Sequence, residues 1–393
     1  MNLIKRSYDF YETDHVYSKK SRSKLPIERL FLYFFIFFLA TFSTKYSSIP
    51  ICFEHLPNEL LLEIFDYLDA YDIYRGFSHL NIRFSNLLLR SSLPLKTRIR
   101  YESKSTIEYR CRHVIIPNVH RLLSLHLHTD SIIHDFFNYC NLDSSFTRLE
   151  SIVLNGVPGM KLLMILSYLQ SLSRLFSLTI LLEEDCLYTL NDIYRLIFRL
   201  PVLKYNKLSL SEYDEINITI PIMINQTFST IEHLIIDFTC NIDELTSLLY
   251  YTPRLRYLTC KRISQPEEMN QKELPLSLTN LVHCSFILEL LTFDLFEVFL
   301  KKISTQLQFF RLQTSFDRDY LDEKRWRSLI KKHMPHLQTF HFEYCQMIEF
   351  ADDDLPNHEA IKQFTSTFWT ERQWYFEFKD YFDRHLYLIH PFK

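Results

Sequence analysis

Apolar side chains recur at helical spacing between residues 56 and 88. After Leu56-Pro57 they lie three and four positions apart, which puts them on one face of a helix. These residues are Leu60, Leu61, Ile64, Phe65 and Leu68. Pro57 suits the first turn of that helix, because the N–H that it lacks would have no partner there. The pattern therefore predicts an amphipathic helix that begins near Pro57.

Two shorter helices are predicted after the first. Asp69 is a suitable N-cap for a second helix that carries Ile73 and Phe77. A third helix continues the apolar spacing through Leu80, Phe84, Leu87 and Leu88. A unit of about 45 residues rarely builds a sufficient core by itself. Part of its apolar surface is therefore expected to meet a partner, or to cap the next domain.

A second pattern, L-x-x-L-x-L with other apolar residues allowed, recurs from residue 122 to residue 342. Its nine copies begin at Leu122, Leu149, Leu175, Tyr205, Ile231, Leu255, Leu281, Leu307 and Leu337, 24 to 30 residues apart. Segments with helical periodicity lie between several copies, at 161–172, 190–200, 243–251, 293–303 and 322–333. The alternation predicts strand-and-helix units that stack to cover one another's apolar faces. A generic domain of alternating helices and strands is the alternative.

In a stacked array, the strand side chains between the apolar anchors point away from the core and line a concave face. The residues predicted on this face are His126, His128, Asn155, Thr179, Ser209, Ser211, Asp237, Lys261, Arg311, Gln313, His341 and Glu343. They carry both signs of charge and no aromatic stacking ladder. This mixture favours a protein ligand over a nucleic acid or a glycan.

Composition and charge narrow the function classes. The chain has 393 residues, of which 47% are hydrophobic and 23% charged, as in a folded protein. A net charge of only -3 provides no field that would draw it onto nucleic acid. Its three glycines exclude phosphate-binding loops and dinucleotide motifs, which need several glycines at fixed offsets. We expect no catalytic residue and no cofactor.

Two groups of residues have part of a metal-binding pattern. His126 and His128 share a strand face but lack a third ligand nearby in sequence, so they are predicted to be exposed strand histidines. The acidic run 352–354, together with His358, lacks the spacing and the glycine of a calcium loop. A solvated acidic loop is predicted there, and no metal site is expected.

The cysteines and the N-terminal region bear on the compartment. Eight dispersed cysteines with no C-x-x-C pair favour reduced core thiols. However, a basic flank precedes the apolar run 30–42, which resembles a secretory signal or anchor but is shorter than the about 20 residues that span a bilayer. Sequons at Asn217 and Asn225 would be used only in a lumen. The chain is predicted to be cytoplasmic or nuclear, or else membrane-anchored if the run is a true signal anchor.

The first helix carries a family resemblance. Its sequence, L-P-x-E-L-L-x-x-I-F-x-Y-L from Leu56 to Leu68, resembles the F-box. The resemblance implies that Leu56, Pro57, Leu60 and Ile64 contact a Skp-type adaptor of a cullin-RING ubiquitin ligase. The predicted adaptor-binding set also includes Leu61, Phe65, Leu68, Phe77 and Phe84. Phe84 stands where many F-boxes have tryptophan.

The spaced units resemble a leucine-rich-repeat solenoid, although the Asn or Cys that usually follows the last anchor occurs only as Cys345. Together the resemblances imply an α/β chain. A short three-helix F-box (51–98) follows an N-terminal extension (1–48) and precedes an irregular solenoid of about nine repeats (117–350) and a C-terminal cap (351–393).

The function implied is that of a non-catalytic substrate receptor, which docks on the adaptor and presents a protein target for ubiquitination. The alternative is a membrane-tethered or secreted leucine-rich-repeat protein that binds ligands, with the helices as a cap.

Overall fold

The computed structural model describes residues 53–90, 93–183, 190–210, 228–266, 278–347, 363–382 and 384–392. The chain divides into two compact units, Met1–Leu68 and Asp69–Lys393. The apolar run 30–42, both sequons, Ser211 and the acidic run 352–354 with His358 lie outside the described residues. No helix among the described residues is long and apolar enough to cross a membrane.

The described part of the first unit is a short 3-10 helix, Phe53–His55, followed by helix α1, Asn58–Asp66. Pro57 occupies the N-cap position, and the Leu61 N–H donates to its carbonyl oxygen at 3.1 Å. Leu61 and Phe65, four residues apart, are buried, whereas Glu59 and Glu63 are exposed. The amphipathic helix predicted to begin near Pro57 is confirmed.

The second unit begins with helices α2 (Ala70–Phe77) and α3 (Ile82–Leu88). The Asp69 side chain accepts a hydrogen bond from the Tyr71 N–H at 2.7 Å, which confirms Asp69 as the N-cap of α2. Asn81 caps α3 in the same way through the Phe84 N–H at 3.1 Å. Leu80, predicted within the third helix, lies before this cap, because the Asn81 side chain accepts the otherwise unpaired Phe84 N–H and so starts the helix.

One sheet dominates the second unit. Its strands are β1 (Leu95–Ile99), β2 (Leu122–His128), β3 (Ser151–Val157), β4 (Ser177–Leu182), β5 (Tyr205–Leu210), β6 (His233–Asp237), β7 (Cys240–Asn241), β8 (Tyr257–Ser264), β9 (His283–Leu288), β10 (Phe309–Thr314), β11 (Thr339–Met347), β12 (Trp374–Asp380) and β13 (Arg384–Pro391). The parallel strands neighbour one another in chain order, with the short β7 beside β8. Beyond β11 the sheet becomes antiparallel through β13 and then β12.

Helices connect many of these strands. They are α4 (Lys104–Arg110), α5 (Asp130–Tyr139), α6 (Gly159–Leu169), α7 (Leu190–Phe198), α8 (Ile242–Tyr250), α9 (Phe293–Ile303), α10 (Glu323–His333) and α11 (Thr367–Thr370). The five predicted helical segments are confirmed within three residues at each end. The prediction missed strand β1, helices α4 and α5, and the π-helical and 3-10 turns Cys111–Ile115 and Ile116–Arg121. The mixed α/β class is as predicted.

The strands lie in register with the predicted apolar anchors. β3, β4, β6 and β8 to β11 each begin two residues after an anchor, and in each case the anchor residue is buried. Tyr205 pairs with Ser177 and His233, which also follow their anchors by two. The equivalent anchor is therefore the buried Leu203, and the copy placed at Tyr205 was two residues late. Side chains alternate between the two faces of a strand, so a register error of two residues leaves each side chain on the same face. The alternation of apolar and polar residues therefore could not reveal this error.

Candidate docking surfaces

Helix α1 exposes an apolar edge. Leu60 is 44% exposed, Pro57 is exposed, and Leu56, Ile64 and Leu68 are half-buried. An apolar side chain that stays in contact with water gains nothing from the hydrophobic effect until a partner covers it. The other two residues predicted on this helix, Leu61 and Phe65, are buried and belong to the core.

Helix α3 also leaves apolar side chains in solvent. Leu80, Ile82 and Leu89 are exposed at the two ends of α3. Phe84 is fully buried and Phe77 is half-buried, and their ring centroids lie 5.5 Å apart. Of the three phenylalanines predicted to bind the adaptor, Phe65 and Phe84 thus pack in the core.

A buried guanidinium anchors the start of α2. Arg110 is 3% exposed and bonds Asp69 at 2.6 Å, Glu102 at 2.5 Å and the Thr97 hydroxyl at 2.9 Å. The second carboxylate oxygen of Asp69 accepts the backbone N–H of Arg98, in β1, at 2.6 Å. Burial raises the pKa of Glu102, although the charge of Arg110 acts to lower it. The cap of α2 is therefore tied to both β1 and α4.

A second arginine holds the end of α3. Arg121 donates to the carbonyl oxygens of Leu88 at 2.6 Å and Arg90 at 2.7 Å, and also to the Tyr74 hydroxyl and to Asn118. The last carbonyls of a helix have no partner within it, and a cation there is favoured by the helix dipole. Arg121 thus fixes the C-terminal end of α3.

The sheet face that the sequence predicted as concave contains three rows of side chains, one residue per strand in each row. The predicted residues lie in two of these rows. Row two contains His126, Thr179, Arg311 and His341, and row three contains His128, Asn155, Ser209, Asp237, Lys261, Gln313 and Glu343. Lys207, which also lies in row two, was missed because of the late register at Tyr205.

The charges in the middle of this face pair with one another. Asp237 lies 2.9 Å from the Lys261 ammonium and 3.5 Å from that of Lys207, and it accepts the Ser209 hydroxyl at 3.2 Å. Although burial acts to raise the pKa of Asp237, the hydrogen bond and charge of Lys261 hold it below its ordinary value. Three neighbouring strands are thus linked by one carboxylate.

On β2, His128 is bonded to two polar side chains. The Arg100 Nε donates to His128 Nε2 at 3.1 Å, and Asn155 lies 3.0 Å from His128 Nδ1. Burial, with Arg98 nearby, lowers the pKa of His126 to about 3. Among the described residues no group of three His, Cys, Asp or Glu side chains could hold a metal ion.

Row one, which contains none of the residues predicted on this face, contains an aromatic ladder that the prediction missed. Its rings are Tyr205, His233, Tyr257, His283 and Phe309, with successive centroids 5.7, 4.1, 5.7 and 4.1 Å apart. The ladder is visible in the sequence when Leu203 replaces Tyr205 as an anchor, because each ring lies two residues after its anchor. Burial lowers the pKa of both His233 and His283 to about 4. Because Tyr205 and His233 are buried, this part of the ladder is not an open platform for bases or sugars.

The chain was compared with known protein families and with curated proteins. Residues 53–96 match the F-box domain family, a segment that starts at the 3-10 helix before α1 and ends in β1. No curated protein matches the chain. The resemblance noted on Leu56–Leu68 is thereby supported, and the chain contains an F-box domain.

Proposed function

We propose that the chain is a non-catalytic substrate receptor of a cullin-RING ubiquitin ligase. F-box domains generally bind Skp-type adaptors. The exposed apolar edge of α1, formed by Leu56, Pro57, Leu60 and Ile64 within the matched segment, is the observation that carries the proposal. We assign adaptor contact to this edge and structural roles to the buried Leu61, Phe65 and Phe84.

The remainder of the chain would hold the target. Parallel strands that neighbour one another in chain order, joined by helices, support a solenoid similar to leucine-rich repeats. Such an array offers an extended face to a protein ligand. The receptor would act by effective concentration, because a bound target keeps its lysines near the conjugating enzyme carried by other subunits. No catalytic residue is needed in this chain.

Co-purification of the full chain with a Skp-type adaptor tests the proposal. Leu60→Asp should reduce adaptor binding by about 100-fold or more, because it places a charge in an apolar contact. Val298→Asp is the matched control, since Val298 is also exposed but lies on α9, and it should bind the adaptor like the wild type. Thermal unfolding should be alike in all three proteins. If the wild type does not bind the adaptor, or Leu60→Asp binds equally well, the proposal is wrong.

A secreted or membrane-tethered ligand-binding protein is the second candidate, favoured by the apolar run 30–42 and the sequons at Asn217 and Asn225. A thiol pair can discriminate between the two. Cys240 and Cys260 are buried with their Sγ atoms 3.5 Å apart. For the receptor we expect both to be alkylated as thiols when the chain is isolated from its native cells under thiol-blocking conditions and then unfolded, and no N-linked glycan. A Cys240–Cys260 disulfide together with glycosylated Asn217 would instead establish the second candidate.

A further inference from the structure

Arg311 is an exposed cation in row two of the sheet face described above. Two lysines of the same face, Lys207 and Lys261, share the carboxylate of Asp237, which lies on the strand between them. No carboxylate of the described residues lies within ion-pair distance of the Arg311 guanidinium. A guanidinium is always charged and presents five N–H donors with no acceptor, so this position suits an anionic ligand.

A neutral hydrogen-bonding side chain flanks Arg311 on each side. Arg311 pairs in register with Ser285 on β9 and with His341 on β11. Neighbouring strands lie about 4.8 Å apart, so a hydroxyl, a guanidinium and an imidazole stand side by side in one row. Burial, together with the charges of Arg311 and His390, lowers the pKa of His341, so its imidazole is neutral at pH 7 and can donate one N–H. The row thus offers a donor on both sides of one positive charge.

The surroundings of Arg311 suit one negative charge and oppose a second. In row three, the Gln313 amide donates to the Glu343 carboxylate at 3.2 Å. Each of these residues lies two positions beyond a member of row two, Arg311 or His341, on the same strand. The negative charge of Glu343 would repel a phosphoryl group, which carries about −1.5 to −2 charges at pH 7. A single carboxylate balances the charge of Arg311 and can accept two N–H groups from its guanidinium.

Aromatic rings border Arg311 on the side of row one. The rings of His283 and Phe309 are stacked with their centroids 4.1 Å apart, and the Phe309 ring lies 5.5 Å from that of His341. His283 and Phe309 are both half-buried, so part of their surface still meets water. An ion pair next to uncharged rings is stronger than one in open solvent. The rings also give an apolar residue of a ligand a surface to cover.

We propose that the row-two site centred on Arg311 binds a target segment through one aspartate or glutamate side chain, with an apolar residue beside it packed on Phe309. Arg311 would hold the carboxylate through two parallel N–H···O bonds, while Ser285 and His341 would donate to its remaining lone pairs. The inference rests on the proposed function, because it names the class of target segment that the receptor would hold.

Selection from a displayed library of random dodecapeptides tests the proposal, with the immobilised full chain as bait. The selected peptides should share an Asp or Glu next to a Leu, Met or aromatic residue. Replacing that carboxylate by its amide should weaken binding about ten-fold or more, and Arg311→Gln should do the same to the unaltered peptide. The two losses should not add, because each change removes the same ion pair.

Arg254→Gln is the matched control for Arg311→Gln. Arg254 is also exposed and has no ion pair among the described residues, but it lies in the turn before β8, outside the three rows. This variant should bind the selected peptides like the wild type, and both variants should keep the wild-type thermal midpoint. A basic consensus, no enrichment, an equal loss for Arg254→Gln, or tighter binding of a peptide with phosphoserine in place of the acidic residue would each overturn the proposal.

The two proposals fail in distinguishable ways. Arg311→Gln should co-purify with the Skp-type adaptor as well as the wild type does. Specific peptide binding without adaptor binding would leave the Arg311 site in place and refute the ligase receptor. Adaptor binding without peptide selection would refute the Arg311 site alone.

Discussion

Arg110→Met should lower the free energy of unfolding by about 3–5 kcal/mol. The substitution leaves the carboxylates of Asp69 and Glu102 without the guanidinium that bonds both at 2.5–2.6 Å. Breaking one side of a buried ion pair costs far more than the pair contributes when intact, because the remaining charge stays desolvated. Asp69 also caps α2 and accepts the Arg98 N–H, so the loss should spread to both elements. Urea unfolding of the full chain measures the change.

Arg112→Met provides the matched control for Arg110→Met. Arg112 is only two residues away, but it is exposed and pairs with Glu108 at the i,i+4 spacing. An exposed pair of this kind contributes about 0.3–0.5 kcal/mol, so the variant should unfold almost like the wild type. Equal stability of the two variants would contradict the buried role of Arg110.

Stability should fall steeply between pH 6.5 and pH 4, because burial keeps His126 and the two histidines of the aromatic ladder neutral in the folded protein. The pKa of His233 is about 4 in the folded protein, below the ordinary value of 6.5. The folded state therefore keeps the imidazole neutral where the unfolded chain binds a proton. The contribution of the neutral His233 imidazole to the free energy of unfolding is complete above pH 6.5. It is lost as the pH falls toward the pKa of His233 in the folded protein. At 1.36 kcal/mol per pKa unit, it amounts to about 3 kcal/mol for His233, with a further loss expected from His283.

His233→Phe isolates this effect because it keeps a ring in the stack and removes the proton. The difference in unfolding free energy between pH 7 and pH 4.5 should shrink by roughly 2 kcal/mol relative to the wild type. His134→Phe, on the exposed surface of α5, is the control and should keep the wild-type difference. A His233→Phe profile that follows the wild type would show that the ladder does not cause the pH dependence.

Much of the sheet was predictable, because its residues obey local rules. The anchor spacing located nine of the strands, since a buried apolar anchor lies at the start of each strand or two residues before it. The two-residue error at Tyr205 arose because Leu203 and Tyr205 lie on alternate positions of one extended segment and both suit the pattern. That single shift replaced Lys207 by Ser211 on the predicted face.

Other features depend on partners distant in sequence. The helix periodicity of α1 could not decide which apolar residues face solvent, so it grouped the buried Leu61 with the exposed Leu60. Arg110 and Arg121 look like ordinary surface residues in the sequence, and their roles become visible only when Asp69 and the end of α3 are placed beside them.

The antiparallel hairpin of β12 and β13 has a consequence for self-association. A parallel sheet that ended at β11 would present a row of open N–H and C=O groups, which can template the addition of further chains. Here β13 pairs with β11 and covers that row. Trp374, in β12, donates its indole N–H to the Gln338 carbonyl oxygen at 3.2 Å, and Trp369, in α11, donates to the Glu323 carboxylate at 3.0 Å. The outermost strand, β12, carries charged residues near its end, at Glu377, Lys379 and Asp380. We therefore expect the hairpin to oppose lateral polymerisation, and chains truncated before it to form fibrous or amorphous aggregates.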